Sequence, residues 1–261
     1  MLGAIVGDIV GSRFEYNNIK NKDFELMTDN CFVTDDTVLT LAVCDALLSR
    51  ENDLESAAAR SLRAFSRRYA DKDYGDGFRR WMMLDDSAPY ESFGNGAAMR
   101  VSACSIAAQT LEEAKRMSDA VTAPTHNHPE GMKGAQATAV AGFLAKAGLG
   151  KNAIENYINQ NYYPMGFRLD DIRPTYRYEG GCQGTVPFAL KAFFESISFE
   201  DAIRNAVSIG GDSDTLAAIT GGVAGIYYGV DDWIAKKTLT YLDDFQKDCL
   251  SRFEKASYLG R

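Results

Sequence analysis

Apolar positions in this chain recur at three- and four-residue spacing along most of its length, which is the period of an α-helix. Residues 2–14 open the pattern. Glycines at 3, 7 and 11 give that stretch one smooth face, which lets a second helix approach closely. The lipid-embedded version of this spacing is disfavoured, because Asp8 and Arg13 lie within it. Residues 38–48 are apolar at nearly every position and predict a buried helix. Residues 54–69 alternate apolar and basic side chains at helical spacing and predict a surface helix. Residues 130–147, rich in Ala and Gly, can pack centrally. Stretches 184–195, 199–208, 212–228 and 232–254 complete the helical succession.

Strand signals are scarce, since no run of β-branched residues alternates over six positions. Residues 17–33, 71–95, 122–129 and 161–184 read as irregular. The last holds Pro164, Pro174, Gly180 and Gly181, and a long loop inside a compact domain tends to be functional. No low-complexity linker, fixed-period repeat or step in composition divides the chain. The expectation is one all-α domain over residues 1–261, long enough to bury a sizeable core.

Composition narrows the partners. The net charge of −8 removes the electrostatic drive onto nucleic-acid backbones, although bound metals could still attract a small anion. Five cysteines without a Cys-x-x-Cys pair argue against a disulfide framework or a thiolate zinc site and favour reduced thiols in a cytoplasm. The N-terminal residues lack a positive region before their apolar run and do not read as a secretory signal. No window reaches the ~18 apolar residues of a membrane span.

Two acidic runs carry the candidate chemistry. Thr34-Asp35-Asp36-Thr37 and Gly210-Gly211-Asp212-Ser213-Asp214-Thr215 each stand directly before an apolar helical stretch. Thr and Asp are favoured helix caps, and acids gain ~0.3–1 kcal/mol from the dipole in a first turn, so capping alone accounts for much of the first run. Two acids and a hydroxyl after a double glycine exceed what capping requires. Carboxylate and hydroxyl oxygens are hard ligands suited to Mg²⁺, Mn²⁺ or Ca²⁺. Glu15, just after the glycine-striped helix, could add a fifth carboxylate. Such a cluster without cations would raise carboxylate pKa values and cost stability.

Between these runs lie Ser92-Phe93-Gly94-Asn95-Gly96, before an apparent helix starting near Ala97, and Thr125-His126. Backbone N–H groups in a glycine-rich loop at a helix start suit a diphosphate, and a plain turn is the alternative. His126 and His128 are the only histidines, and nothing supports a zinc site around them. Tyr176 and Tyr178 could stack on a base or simply pack on neighbouring helices. Cys182 has no visible base partner.

Taken in order, Gly7-Asp8 with Gly11 and Glu15, Thr34 to Thr37, Gly94-Asn95-Gly96-Ala97-Ala98-Met99-Arg100, Thr125-His126, and Gly210 to Thr215 with Ala217-Ala218, Gly221 and Gly225 resemble the ADP-ribosylglycohydrolase family. The resemblance runs from about residue 2 to 229. It implies an all-α fold with a binuclear Mg²⁺ or Mn²⁺ centre and hydrolysis of the bond between ADP-ribose and an acceptor such as an ADP-ribosylated protein. By position it implies Thr34, Asp35 and Asp36 as one ligand group and Asp212, Asp214 and Thr215 as the other. Glu15 matches a mobile acid, and Glu15, Asp35 or Asp36 would carry the catalytic proton work. Ser92, Phe93, Gly94, Asn95, Gly96 and His126 would line the substrate pocket, with Met99 and Arg100 structural. Nitrogenase-reactivating relatives carry an aspartate about where Ser92 stands here, which tilts the acceptor toward an O-linked one such as serine. A catalytically silent ADP-ribose reader, an occluding immunity protein and a helical protein holding structural Ca²⁺ are the competing readings.

Overall fold

Side-chain caps mark where several helices begin. In the computed structural model, which describes residues 1–259 and the side chains through 256, Asp53, Thr110 and Ser198 each accept the N–H three residues on. His128 caps the helix that opens with Pro129. The helices are α1 (Leu2–Ser12), α2 (Asp35–Leu48), α3 (Leu54–Arg68), α4 (Asp76–Met83), α5 (Ser102–Ala107), α6 (Leu111–Thr122) and α7 (Pro129–Lys146). They continue as α8 (Lys151–Asn161), α9 (Leu169–Ile172), α10 (Cys182–Phe194), α11 (Phe199–Ser208), α12 (Ser213–Tyr228), α13 (Asp232–Leu239) and α14 (Asp244–Leu259). Among the described residues the only β pairing is an isolated bridge between Gly94 and Gly181. The all-α expectation holds.

The differences from expectation have local causes. The stretch 232–254 is two helices, because Asp243 starts the second one. Its Oδ1 accepts the Gln246 N–H at 2.8 Å while Gln246 Oε1 accepts the Asp243 N–H at 3.0 Å, a reciprocal capping box. Stretch 71–95 contains the two-turn helix α4, which buries Phe78, Trp81 and Met82 on one face. The helix expected near Ala97 is only a 3₁₀ turn over Asn95–Ala97, and α5 begins at Ser102. Helices α8 and α6 fill stretches left unassigned above. The last two residues of the expected domain, 260 and 261, lie outside the described residues. No described helix is long and apolar enough to cross a membrane.

The centre of the molecule is the pairing of α1 with α12. Both are apolar nearly all round and both are buried over most of their length. The glycine stripe sets their distance. A Cβ on Gly7 would stand 1.9 Å from the Ala217 carbonyl oxygen, and one on Gly11 would stand 2.5 Å from the Asp214 Cα. Gly3 meets Gly221 and Gly225 in the same way. This backbone contact places the C-terminal end of α1 beside the N-terminal end of α12. Helix α2 packs alongside, so three helix ends meet at one place.

Candidate functional site

Asp8 organises the start of α2. It is the one acid in a helix otherwise made of apolar and small residues, and it is fully buried. Its Oδ1 accepts the Thr34 hydroxyl at 2.6 Å, and its Oδ2 accepts the N–H groups of Thr34 at 3.2 Å and Thr37 at 3.1 Å. Thr34 in turn caps α2 by accepting the Asp36 N–H at 3.2 Å. These bonds hold orphan N–H groups of the first turn and fix the directions of Asp35 and Asp36. Burial pushes the Asp8 carboxyl up, opposed by the hydrogen bonds it receives.

The second acidic run is folded by its glycines. Gly210 and Gly211 have φ of +70° and +76°, where a Cβ is strained. A Cβ on Gly211 would also meet the Tyr176 ring at 2.5 Å. Asn18 clamps this turn, accepting the Gly211 N–H at 2.7 Å and donating to its carbonyl at 2.9 Å. Asp212 then starts α12 without its side chain capping the helix, which leaves that carboxylate free to face the cavity.

The two runs meet. The Thr215 hydroxyl donates to Asp36 Oδ1 at 3.3 Å across 179 residues of sequence. Glu15, Asp212 and Asp214 each offer a carboxylate oxygen within 4.8 Å of the others. Asp36 Oδ2 and Asp214 Oδ1 are buried and have no hydrogen-bond partner. Burial, and then the charge of Asp35, hold Asp36 well above the usual carboxylate range. Burial and Asp212 do the same to Asp214. Asp35 is pushed up to about 8, chiefly by burial and then by Asp8 and Asp212. Glu15, half-buried at the edge, rises to about 7 from burial and the Asp212 charge. An unpaired buried carboxylate oxygen is costly in protein alone. Hard oxygen donors, two of them without protein partners and with no basic side chain paired to them, form a set that fits divalent cations.

A cavity of about 470 Å³ opens over these acids. Glu15, Asp35, Asp36, Asp212, Asp214 and Thr215 line one end, and Ser92, Gly94, Asn95, Gly96 and His126 line the other. Two predicted residues do not line it. The Thr34 hydroxyl is used between Asp8 and the Asp36 N–H, and Phe93 is 53% exposed with its edge on His128. Asn95 joins the two ends, since its Nδ2 donates to Asp212 Oδ2 at 2.7 Å and to Thr185 Oγ1 at 3.2 Å. The Gly94 and Asn95 N–H groups bond Ser92 Oγ and the Gly180 carbonyl, so those two are not offered to a diphosphate.

Three expectations about single residues are resolved. Tyr176 is structural: its ring packs on Phe188 at 4.9 Å and its hydroxyl donates to the Gly184 carbonyl at 2.7 Å. Tyr178, 59% exposed, lines the cavity instead. Cys182 is buried, its thiol pushed up to about 12, as befits a residue with no nucleophilic role. Asp8, Tyr74, Tyr90 and Arg100 were not anticipated as part of the site. For Asp8 the signal was present in the sequence as a lone acid in a helix with no polar face.

A profile of the ADP-ribosylglycohydrolase family matches residues 1–259. Among known proteins, ADP-ribosylhydrolase ARH3 of Homo sapiens is 24% identical over 88% of this chain and 85% of its own length. ADP-ribosylarginine hydrolase Tri1 of Pseudomonas putida is 26% identical over 98% of this chain and 77% of its own. The ADP-ribosyl-[dinitrogen reductase] glycohydrolase of Rhodospirillum rubrum is 30% identical over 78% of this chain and 73% of its own. A solved ADP-ribosylglycohydrolase-related protein complex shares the fold with a TM-score of 0.70, at 22% identity, covering 97% of this chain and 93% of that one. With nearly its whole length matched and both acidic runs gathered at one cavity, the chain belongs to the ADP-ribosylglycohydrolase family.

Proposed function

We propose that this protein is an ADP-ribosyl hydrolase: with Mg²⁺ or Mn²⁺ it cleaves the glycosidic bond between ADP-ribose and an acceptor, an ADP-ribosylated protein side chain above all. The reading is carried by one observation, the meeting of Asp36 and Thr215 beside partnerless oxygens on Asp36 and Asp214. It is supported by the hydrolase names of the relatives.

Asp35, Asp36, Asp212, Asp214 and Thr215, with Glu15, would hold two divalent cations. When bound, such ions supply positive charge for ribose hydroxyls and for a nucleophilic water. The chain's own residues do the rest. Glu15 stands at the open edge of the cluster and is the acid best placed to exchange a proton with the departing acceptor, a role worth roughly 10²–10⁴ in rate. Asp8 and Asn95 keep the two ligand runs in register. The Gly94–Gly96 turn and His126 receive the rest of the ADP-ribose, and Tyr178 covers it. The whole chain, 1–261, acts as one domain in a reducing cytoplasm, a reading supported by five free, buried cysteines.

The test is incubation with Arg-, Ser- and nucleic-acid-linked ADP-ribose substrates and Mg²⁺, with released ADP-ribose read by mass spectrometry. Release that stops on chelation and in Asp35→Ala and Asp214→Ala is the expected result, and the productive substrate names the linkage. Ser92 favours the serine-linked one. Tight binding of ADP-ribose without turnover of any substrate would instead make this a catalytically silent reader.

A further inference from the structure

Among the described residues Arg100 is the largest fully buried side chain, and no carboxylate pairs with it. Its Nη2 donates to the Thr125 hydroxyl at 2.7 Å and more distantly to the Val121 carbonyl at 3.5 Å, while Nε and Nη1 have no partner. Thr125 Oγ1 lies 2.8 Å from His126 Nδ1. These three residues form a chain whose proton positions follow from donor and acceptor arithmetic.

A guanidinium only donates, so the Thr125 oxygen accepts from it. The hydroxyl still has one proton to place. Thr125 is fully buried, and among the described residues His126 Nδ1 is the only other hydrogen-bond partner of its hydroxyl. Were Nδ1 protonated, two donors would point at one oxygen and the threonine proton would be buried unpaired, at a cost of about 1–3 kcal/mol. Nδ1 therefore accepts, and a neutral ring in that state carries its proton on Nε2. Burial and the Arg100 charge both hold His126 well below the usual histidine range, which keeps the ring neutral.

The other nitrogen faces the cavity. His126 Nε2 bonds to no described residue, and its neighbours are glycines: a Cβ on Gly96 would lie 3.2 Å from it and one on Gly94 3.5 Å. Side chains at either position would cover it. We propose that Arg100, acting through Thr125, locks His126 as the neutral Nε2–H tautomer and so presents a fixed N–H donor, not a base, to an acceptor oxygen of the bound ADP-ribose. The identity of that ligand rests on the proposed function; the tautomer does not. Arg100 is a positioning residue in this scheme, and its partnerless charge adds an attraction for an anion in the same part of the cavity.

With only two histidines, a ¹⁵N-histidine-labelled sample of the whole chain gives a spectrum of two rings. The expected result at neutral pH is a single Nε2–H tautomer for His126. His128, whose Nδ1 accepts the Glu130 N–H at 3.1 Å, serves as an internal reference that no variant changes. Thr125→Val is expected to give mixed tautomers at His126 and to weaken ADP-ribose binding in calorimetry about tenfold, raising KM more than it lowers kcat. Thr125→Ser is expected to restore both. An Nδ1–H tautomer or an imidazolium in the unaltered protein overturns the inference, and so does an unchanged tautomer in Thr125→Val. Should Thr125→Val not fold, the unaltered protein and Thr125→Ser still decide the tautomer. A locked tautomer in a protein that neither binds nor releases ADP-ribose would refute the proposed function and leave the lock standing. Turnover with the wrong tautomer would do the reverse.

Discussion

The two ends of the cavity are electrostatic opposites, each left incomplete in the complementary way. At one end, carboxylates crowd at the starts of α2 and α12 with no basic side chain paired to them. At the other, a buried guanidinium stands beside a neutral histidine with no acid paired to it. An ordinary core would have let these charges cancel each other. Holding them apart, with Asn95 as the bridge, gives one site that attracts cations and one that attracts an anion. A molecule with vicinal hydroxyls at one end and a diphosphate in its middle matches that polarity.

The contrast can be broken most severely at the acidic end. Asp214→Ala or Asp36→Ala is expected to cut ADP-ribose release by more than about a hundredfold, beyond the 10–100-fold typical of outer-shell changes around a metal. The same substitutions should leave the metal-free protein as stable as before or more so, because each removes a crowded, buried carboxyl with a partnerless oxygen. Thermal unfolding in chelator checks this. Asn95→Ala should sever the bridge and weaken Mg²⁺ or Mn²⁺ binding roughly 10–100-fold by calorimetry, through Asp212, which it no longer tethers.

Milder tests follow from pH and from the rim. Asp35 and Glu15 have folded-state pKa values of about 8 and about 7 against ordinary values of 3.8 and 4.5. The folded, metal-free protein therefore holds protons that the unfolded chain releases. The stability that these two groups contribute is full below about pH 4, falls as pH rises, and is gone above about 8. Excess Mg²⁺ should flatten this dependence, which thermal melts at several pH values would read. Tyr178→Ala is expected to weaken ADP-ribose binding only a few-fold, since an exposed ring contributes about 0.5–1.5 kcal/mol by stacking.

Much of this could be read before any coordinates, but unevenly. Gly3, Gly7 and Gly11 announced a close helix contact because only a missing Cβ explains such spacing. The two acidic runs announced helix starts because Thr and Asp are what helix starts use. Helix α4 escaped notice because two turns give too few positions to establish a period. The break between α13 and α14 was written in Asp243 and Gln246, yet apolar residues on both sides masked it. The partners of Asp8 and Arg100 were hidden for a different reason. What each does depends on partners 26 and 25 positions away, such as Thr34 and Thr125, and no local pattern states which remote group a buried charge will face.

The glycine contact between α1 and α12 also has a bearing on how the molecule is made. The first helix leaves the ribosome about two hundred residues before the surface it fits. Until then an apolar segment carrying Asp8 and Glu15 must wait without its partner, in the state where nascent chains associate wrongly. Because its second ligand run sits at the start of α12, the acidic pocket cannot be complete until that helix has been made. A variant such as Gly7→Ala would then betray itself as aggregation during synthesis before any purified enzyme could be assayed.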